Sequence, residues 1–118
     1  MVLRWNRQYI IDSYGTNTVH ARGIDTPATN FFHYAETTRD DFPLYIFDKR
    51  FARKAPALAS DYIVPEYFRD DVLALLPSDA RPDNAWLLIG PKRSGSTWHK
   101  DPNCTNAFNA CISGEKVQ

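Results

Sequence analysis

The last third of the chain is written in short apolar pieces, AWLLIG from Ala85, TWHKD from Thr97 and AFNACIS from Ala107, each ended by Gly, Pro, Ser or Asn. Runs this short are cut off before a helix of ordinary length could form, and their punctuation is that of strands joined by turns. They predict three strands in residues 85–113, which is how a β-sandwich or jelly roll begins. With 118 residues the chain is the size of one domain with a modest core. No apolar run approaches the roughly 20 residues of a membrane span. The opening MVLRWNRQYIIDSYG lacks the uninterrupted apolar core of a signal peptide, so the chain is expected to be intracellular, nucleus or cytoplasm being unresolved.

The part before Ala85 reads as helical and rich in loops. Residues 3–14 suit a helix with Leu3, Tyr9, Ile10 and Tyr14 gathered on one side and Gly15 ending it. A short strand is expected at 18–22. TPATNFFHYAETTRDD follows as a second helix, capped by Thr26 or Thr29 with Pro27 in its first turn and Phe31, Tyr34 and Ala35 facing inward. PLYIFDKRF is a strand after Pro43, KAPALASDY a loop, and VPEYFRDDVLALLP one or two short helices between Pro65 and Pro77. The expected division is 1–84, a helical and loop region, and 85–118, the first strands of a barrel.

Fourteen basic and fourteen acidic side chains cancel, so no overall field draws the chain to nucleic acid or an anionic membrane. KRFARK, residues 49–54, is a thin basic cluster that reads as a solvated loop, and an RNA partner there finds no other support. Cys104 and Cys111 have neither the number nor the spacing of a disulfide framework or a C-x-x-C site and are expected to be reduced thiols in ordinary packing.

His99 stands two residues before Asp101. On a strand the two would project from one face, where an imidazole and a carboxylate suit Fe(II), Mn(II) or Zn(II). H-x-D by itself is more commonly a surface salt bridge or a loop-capping pair. Ser113-Gly114 adds weight as a tight-turn pair: a hairpin there would match Cys111 with Lys116 and put Asn109, Cys111 and Lys116 on one face. A lysine on such a face suits an anion pocket.

HYAETTRDDFPLYIFD, DYIVPEYFRDD and WLLIGPKRSGSTWHKDPNCTNAFNACISGEK together resemble the JmjC (Jumonji C) domain family, in its phosphatidylserine-receptor-like branch of lysyl hydroxylases and arginine demethylases. The resemblance implies an α+β chain, with N-terminal helices and the leading strands of a double-stranded β-helix, a cupin-type jelly roll, left incomplete. It implies an Fe(II)- and 2-oxoglutarate-dependent dioxygenase acting on protein side chains. His99 and Asp101 match the first two metal ligands. Lys116 matches the lysine that takes the far carboxylate of 2-oxoglutarate, with Asn109, Ser96 and Tyr45 matching residues that line the same pocket. The third ligand of the family's pattern is a His on a later strand, after Gly114-x-Lys116, and His20 and His33 match no ligand. The 118 residues are therefore expected to bind metal and co-substrate but support little turnover, and to self-associate through the sheet edge left open at 107–112. Two other readings stay beside this one: a non-catalytic protein-interaction module, and a two-ligand metal- or small-molecule-binding domain.

Overall fold

The computed structural model describes residues 4–117, and Leu3, expected at the start of the first helix, lies outside them. Helix α1 runs over Arg7–Tyr14. The Asn6 side chain accepts the Tyr9 N–H at 2.9 Å and so satisfies one of the free donors of the first turn. Gly15, at φ 55°, lets the chain turn away at the other end. Ile10 and Tyr14, one turn apart, are its buried face.

Strand β1 (Thr18–Ala21) and strand β2 (Ile24–Pro27) form a hairpin with Thr18 opposite Pro27 and Ala21 opposite Ile24. The two turn residues, Arg22 and Gly23, both take positive φ, 44° and 90°, which is the geometry whose twist suits a two-residue hairpin. An arginine in the left-handed region is uncommon and costs about 1–2 kcal/mol. β2 was not expected. It is an edge strand whose residues are mostly exposed, so IDTP carries no alternation of apolar and polar positions to reveal it.

Helix α2 (Ala28–Thr37) starts directly after Pro27, which caps it without a side-chain hydrogen bond, so neither Thr26 nor Thr29 has the expected role. Ala28, Phe31 and Phe32 are buried, with Tyr34 and Ala35 packed at the margin. The Tyr34 hydroxyl accepts the Leu44 N–H at 2.9 Å and donates to Asp40 at 2.7 Å, which folds residues 38–44 back toward the sheet.

Strand β3 is shorter than the apolar run that predicts it, Ile46–Asp48, and pairs with β1 through Ala21 and Ile46. KAPALASDY is not a loop: helix α4 (Pro56–Ser60) occupies it and follows directly on α3 (Phe51–Lys54) in KRFARK, because Phe51, Ala55 and Leu58 recur at helical spacing and are buried together. VPEYFRDDVLALLP forms two 3-10 turns, Glu66–Phe68 and Val72–Leu75, that leave Tyr67 and Leu75 exposed. Strand β4 (Leu87–Ile89) closes an antiparallel sheet of order β2-β1-β3-β4, with Ile46 opposite Ile89 and Asp48 opposite Leu87. Val19, Ala21, Ile46 and Leu87 on one face meet Tyr14, Phe31, Phe51 and Leu58 from the helices, and this is the core.

Two carboxylates are built into this framework. Asp48 is 2% exposed. It receives the Lys54 ammonium at 2.9 Å, the Tyr14 hydroxyl at 3.2 Å and the Arg50 N–H at 2.7 Å. Asp61, after α4, takes the Arg4 guanidinium, the Trp5 indole N–H at 3.0 Å and the Tyr9 hydroxyl at 2.7 Å, tying the start of the chain to α4. The basic cluster at 49–54 is partly consumed in such pairs, Lys49 with Asp83 and Lys54 with Asp48.

Beyond β4 the expected architecture is corrected. Residues 97–101 and 107–112 form no strand, and the only regular element there among the described residues is a 3-10 turn over Pro102–Cys104. A strand needs a neighbour to pair its N–H and C=O groups, and among the described residues none lies beside these segments. Asn103 and Cys104 also take φ of 59° and 52°, which breaks any extended run. The tail is held instead by stacking of Phe108 on Phe68, 4.6 Å between ring centres. Cys104 and Cys111 are exposed free thiols rather than packed ones. The structure is thus mixed α and β with a four-stranded antiparallel sheet, most of which lies in the first half of the chain.

Candidate metal and co-substrate site

Alternation along β3 sends Ile46 and Asp48 inward and leaves Tyr45 and Phe47 on the outer face. Phe47 meets Tyr45 edge-on at 6.4 Å and stacks on Trp86 at 6.2 Å. Ile46 pairs with Ile89, so the next step along both strands brings Gly90 beside Tyr45. A Cβ on Gly90 would lie 2.8 Å from the Tyr45 Cβ and 3.0 Å from the Ser94 Cβ, and closer still to the Ser94 hydroxyl. Only glycine permits that approach, and through it the loop after β4 folds over Tyr45.

Ser94 holds the loop's turn, its N–H and hydroxyl both donating to the Pro91 carbonyl, at 3.1 and 2.7 Å. Arg93 anchors the loop from outside through the Asp40 carbonyl at 3.0 Å and the Asp41 carboxylate at 3.6 Å. Arg22 arrives from the hairpin tip, one residue beyond the Ala21–Ile46 pair and therefore on the outer face with Tyr45. These segments enclose an open cleft of about 540 Å³ lined by Arg22, Phe42, Tyr45, Arg93 and residues 94–97. Tyr45 and Ser96, from sequence positions far apart, share this cleft.

His99 and Asp101 are neighbours, Nε2 to Oδ1 at 3.3 Å, although no strand puts them there. The ring is turned by its own backbone: Nδ1 lies 2.7 Å from the Thr97 carbonyl oxygen. A carbonyl only accepts, so Nδ1 carries a hydrogen, and in the neutral ring Nε2 then presents a lone pair to a carboxylate. Nε2 and Asp101 Oδ1, both on half-exposed side chains, are placed to accept one cation between them. Ligand bonds of about 2.0–2.2 Å at a right angle set two donors about 3 Å apart, close to what is seen. A histidine whose second nitrogen is fixed by a carbonyl is also the usual arrangement of a metal-bound imidazole. The pair therefore suits two adjacent positions on a divalent ion. Among the described residues no cluster of three or more His, Cys, Asp and Glu side chains is suited to a metal.

Asn109 and Lys116 are exposed and do not line the cleft. The expected hairpin at Ser113-Gly114 is absent. Cys111 turns its thiol to the Ser113 and Gly114 carbonyls, at 3.7 and 3.5 Å, so it is not matched with Lys116 across a ladder. His20 pairs with Asp25 at 2.8 Å and accepts the Gly23 N–H, while His33 is exposed on α2. The expected site residues thus fall into three places: the cleft, the His99–Asp101 pair and the tail. Arg22 and Arg93 had no role in the sequence reading. The signals for them are the Arg-Gly pair between two strands and the Gly90-Pro91-Lys92-Arg93-Ser94-Gly95 loop.

No protein-family model matches the chain. Curated proteins do. The chain is 42% identical over 113 residues to arginine-specific demethylase JMJ22 of Arabidopsis thaliana, covering 96% of this chain and 22% of that protein. It is 44% identical over 87 residues to lysine-specific demethylase JMJ21 of the same plant, 74% of this chain and 9% of the relative. With the bifunctional arginine demethylase and lysyl-hydroxylase psr-1 of Caenorhabditis briggsae it shares 39% over 99 residues, 82% of this chain and 25% of that protein. The chain spans a quarter or less of the length of these relatives.

Proposed function

Since this chain belongs with the JmjC-domain arginine demethylases and lysyl hydroxylases, we propose that it carries the first two metal ligands and part of the co-substrate pocket of an Fe(II)- and 2-oxoglutarate-dependent oxygenase acting on protein side chains. The observation that supports this most is the His99–Asp101 pair, an imidazole lone pair held against a carboxylate by the Thr97 carbonyl. His99 Nε2 and an Asp101 oxygen would hold the metal. Tyr45 and Ser96 offer hydroxyls to 2-oxoglutarate in the cleft beside them. By the family resemblance Asn109 and Lys116 would join the same pocket, although neither lines the cleft in this structure. Iron held there supplies the redox chemistry by which 2-oxoglutarate, O2 and a C–H bond become succinate, CO2 and a C–OH group, one oxygen atom going to each organic product. Hydroxylation of an N-methyl carbon releases formaldehyde and leaves the demethylated nitrogen, so hydroxylase and demethylase activity share this step. The contribution of these residues is to fix two adjacent donors and to orient the co-substrate, and a third donor from outside the 118 residues completes the metal site.

A second reading, a non-catalytic interaction module, is favoured by the exposed Trp98, Tyr67 and Val117, each more than 90% accessible. The deciding measurement is metal binding followed with Co(II), whose visible spectrum reports nitrogen and oxygen ligation, in the parent chain and in His99→Ala and Asp101→Ala. Binding lost in both variants, with succinate release in a longer chain that supplies a third histidine and none after His99→Ala, supports the oxygenase. Co(II) binding unaffected by either substitution would refute it and leave the interaction module.

A further inference from the structure

Among the described residues, every hydrogen bond and ion pair made within 91–117 runs to a near neighbour in sequence, except those of Arg93. We propose that Arg93 is a positioning residue for the metal pair: it fixes where His99 and Asp101 stand relative to Tyr45, while neither needs it to bind the ion. This inference rests on the reading of His99 and Asp101 as metal ligands and of Tyr45 as a co-substrate contact.

The guanidinium reaches back 53 residues, donating to the Asp40 carbonyl at 3.0 Å and facing the Asp41 carboxylate at 3.6 Å. Its receiving end is rigid. The Asp40 carboxylate accepts the Tyr34 hydroxyl at 2.7 Å, its N–H donates to the Thr38 hydroxyl at 3.2 Å, and the same Tyr34 oxygen accepts the Leu44 N–H. Tyr34 is packed on the core from α2, so the carbonyl that holds Arg93 is tied to the body of the fold. At the other end, Ser94 closes its turn on Pro91, Ser96 and Thr97 line the cleft with Tyr45, and the Thr97 carbonyl turns the His99 ring. Arg93 itself takes φ 71°, a costly conformation for an L residue that persists where surrounding contacts hold it.

Placement and affinity separate here because the pair is made locally. The Thr97 carbonyl and the Asp101 carboxylate both lie within two residues of His99, so the two donors meet whether or not the loop is docked. What docking sets is their distance from β3. A molecule that chelates the ion and also reaches the Tyr45 hydroxyl needs that distance fixed, and a misplacement of about 1 Å can cost about a hundredfold in rate. Phe108 on Phe68 and the close approach at Gly90 hold the two ends of the tail by packing, and packing directs a loop less sharply than a forked guanidinium does.

The test reads separation. Paramagnetic Co(II) displaces amide signals by an amount that falls steeply with distance, so an ion at His99 reports on β3. Titrated into the whole chain at low protein concentration, it should displace the amides of 97–101 and of 45–48. Arg93→Asn removes the guanidinium and still suits the left-handed backbone, so the turn at Pro91–Ser94 stays. Its Co(II) affinity and its displacements at 97–101 should match the parent. Loop docking should weaken about fivefold, at the low end for a charge-assisted bond because the guanidinium is half exposed, and the displacements at 45–48 should shrink accordingly. Arg93→Lys should restore part of them. Equal displacements at 45–48 in Arg93→Asn and the parent would overturn the proposal, as would a fall in Co(II) affinity as large as the loss of docking, which would make Arg93 a support of the pair itself. Co(II) displacements unaffected by His99→Ala would instead refute the metal reading on which the proposal rests.

Discussion

Replacing Gly90 by alanine should disturb both the stability of the sheet and the cleft above it. The added methyl meets the Tyr45 Cβ at 2.8 Å and the Ser94 Cβ at 3.0 Å. The Ser94 hydroxyl can rotate away only by giving up its 2.7 Å bond to the Pro91 carbonyl, and the Tyr45 Cβ is fixed to a strand. Overpacking of this kind costs about 1–3 kcal/mol. Gly90 is outside the positive-φ region, so alanine also restricts the unfolded chain and returns about 0.4–1 kcal/mol. The clash wins, by about 1–2 kcal/mol, which for a chain of this size lowers Tm by about 4–8 °C. Thermal melts followed by circular dichroism measure it. In a Ser94→Gly background the cost should fall without vanishing, because the contact with Tyr45 stays. A Gly90→Ala chain that melts within about 1 °C of the parent would mean that the 91–97 loop does not lie across β3.

Lys54→Met strips the ammonium from buried Asp48 but leaves it the Tyr14 hydroxyl and the Arg50 N–H. Because those bonds remain and Lys54 is itself partly exposed, the loss should fall below the full cost of an orphaned buried charge, at about 2–3 kcal/mol in urea denaturation, and pairing it with Asp48→Asn should restore part. The Arg4 guanidinium, then the Tyr9 hydroxyl and the Trp5 N–H, hold the Asp61 carboxyl down at about 2, below its ordinary 3.8. Its stabilisation is therefore complete above pH 3.8 and is lost as pH falls through about 2, and Asp61→Asn should flatten the stability curve in that window. Exposed Tyr67, Leu75, Trp98 and Val117 should make the 118-residue chain self-associate, and sedimentation as a monomer at high concentration would contradict this.

What could be read from the sequence was whatever depended on neighbours along the chain. The Ile10–Tyr14 spacing and Gly15 marked α1, and the apolar run after Pro43 marked β3, because each signal lies within one turn or one strand. β2 was hidden since its side chains are exposed, α3 was hidden inside the basic run KRFARK, and α4 by the proline and alanines of KAPALAS, where burial is decided by Ala55 and Leu58. Residues 97–112 show the opposite failure. Their composition suits strands, but a strand exists only beside a partner, which local sequence does not announce. At the site, the nearness of His99 and Asp101 was legible from spacing, though a Thr97 carbonyl produces it in place of a pleat. The meeting of Arg22, Tyr45 and Ser96 was not legible together, because the guanidinium comes from a hairpin tip set by sheet register.

The Thr97 carbonyl that turns the His99 ring has a thermodynamic consequence for assembly. Its hydrogen bond and the Asp101 carboxylate span only five residues, so the two donors are brought together with little loop entropy lost, before any distant element is in place. A divalent ion seated on them still seeks a further ligand, and the element that offers it gains the energy of that bond on docking. Metal affinity and the docking of that element are then linked reciprocally: each strengthens the other by the same factor. Chelation should then loosen the docking of that element as well as empty the pair, since such an ion would fasten a preformed loop to the rest of the fold.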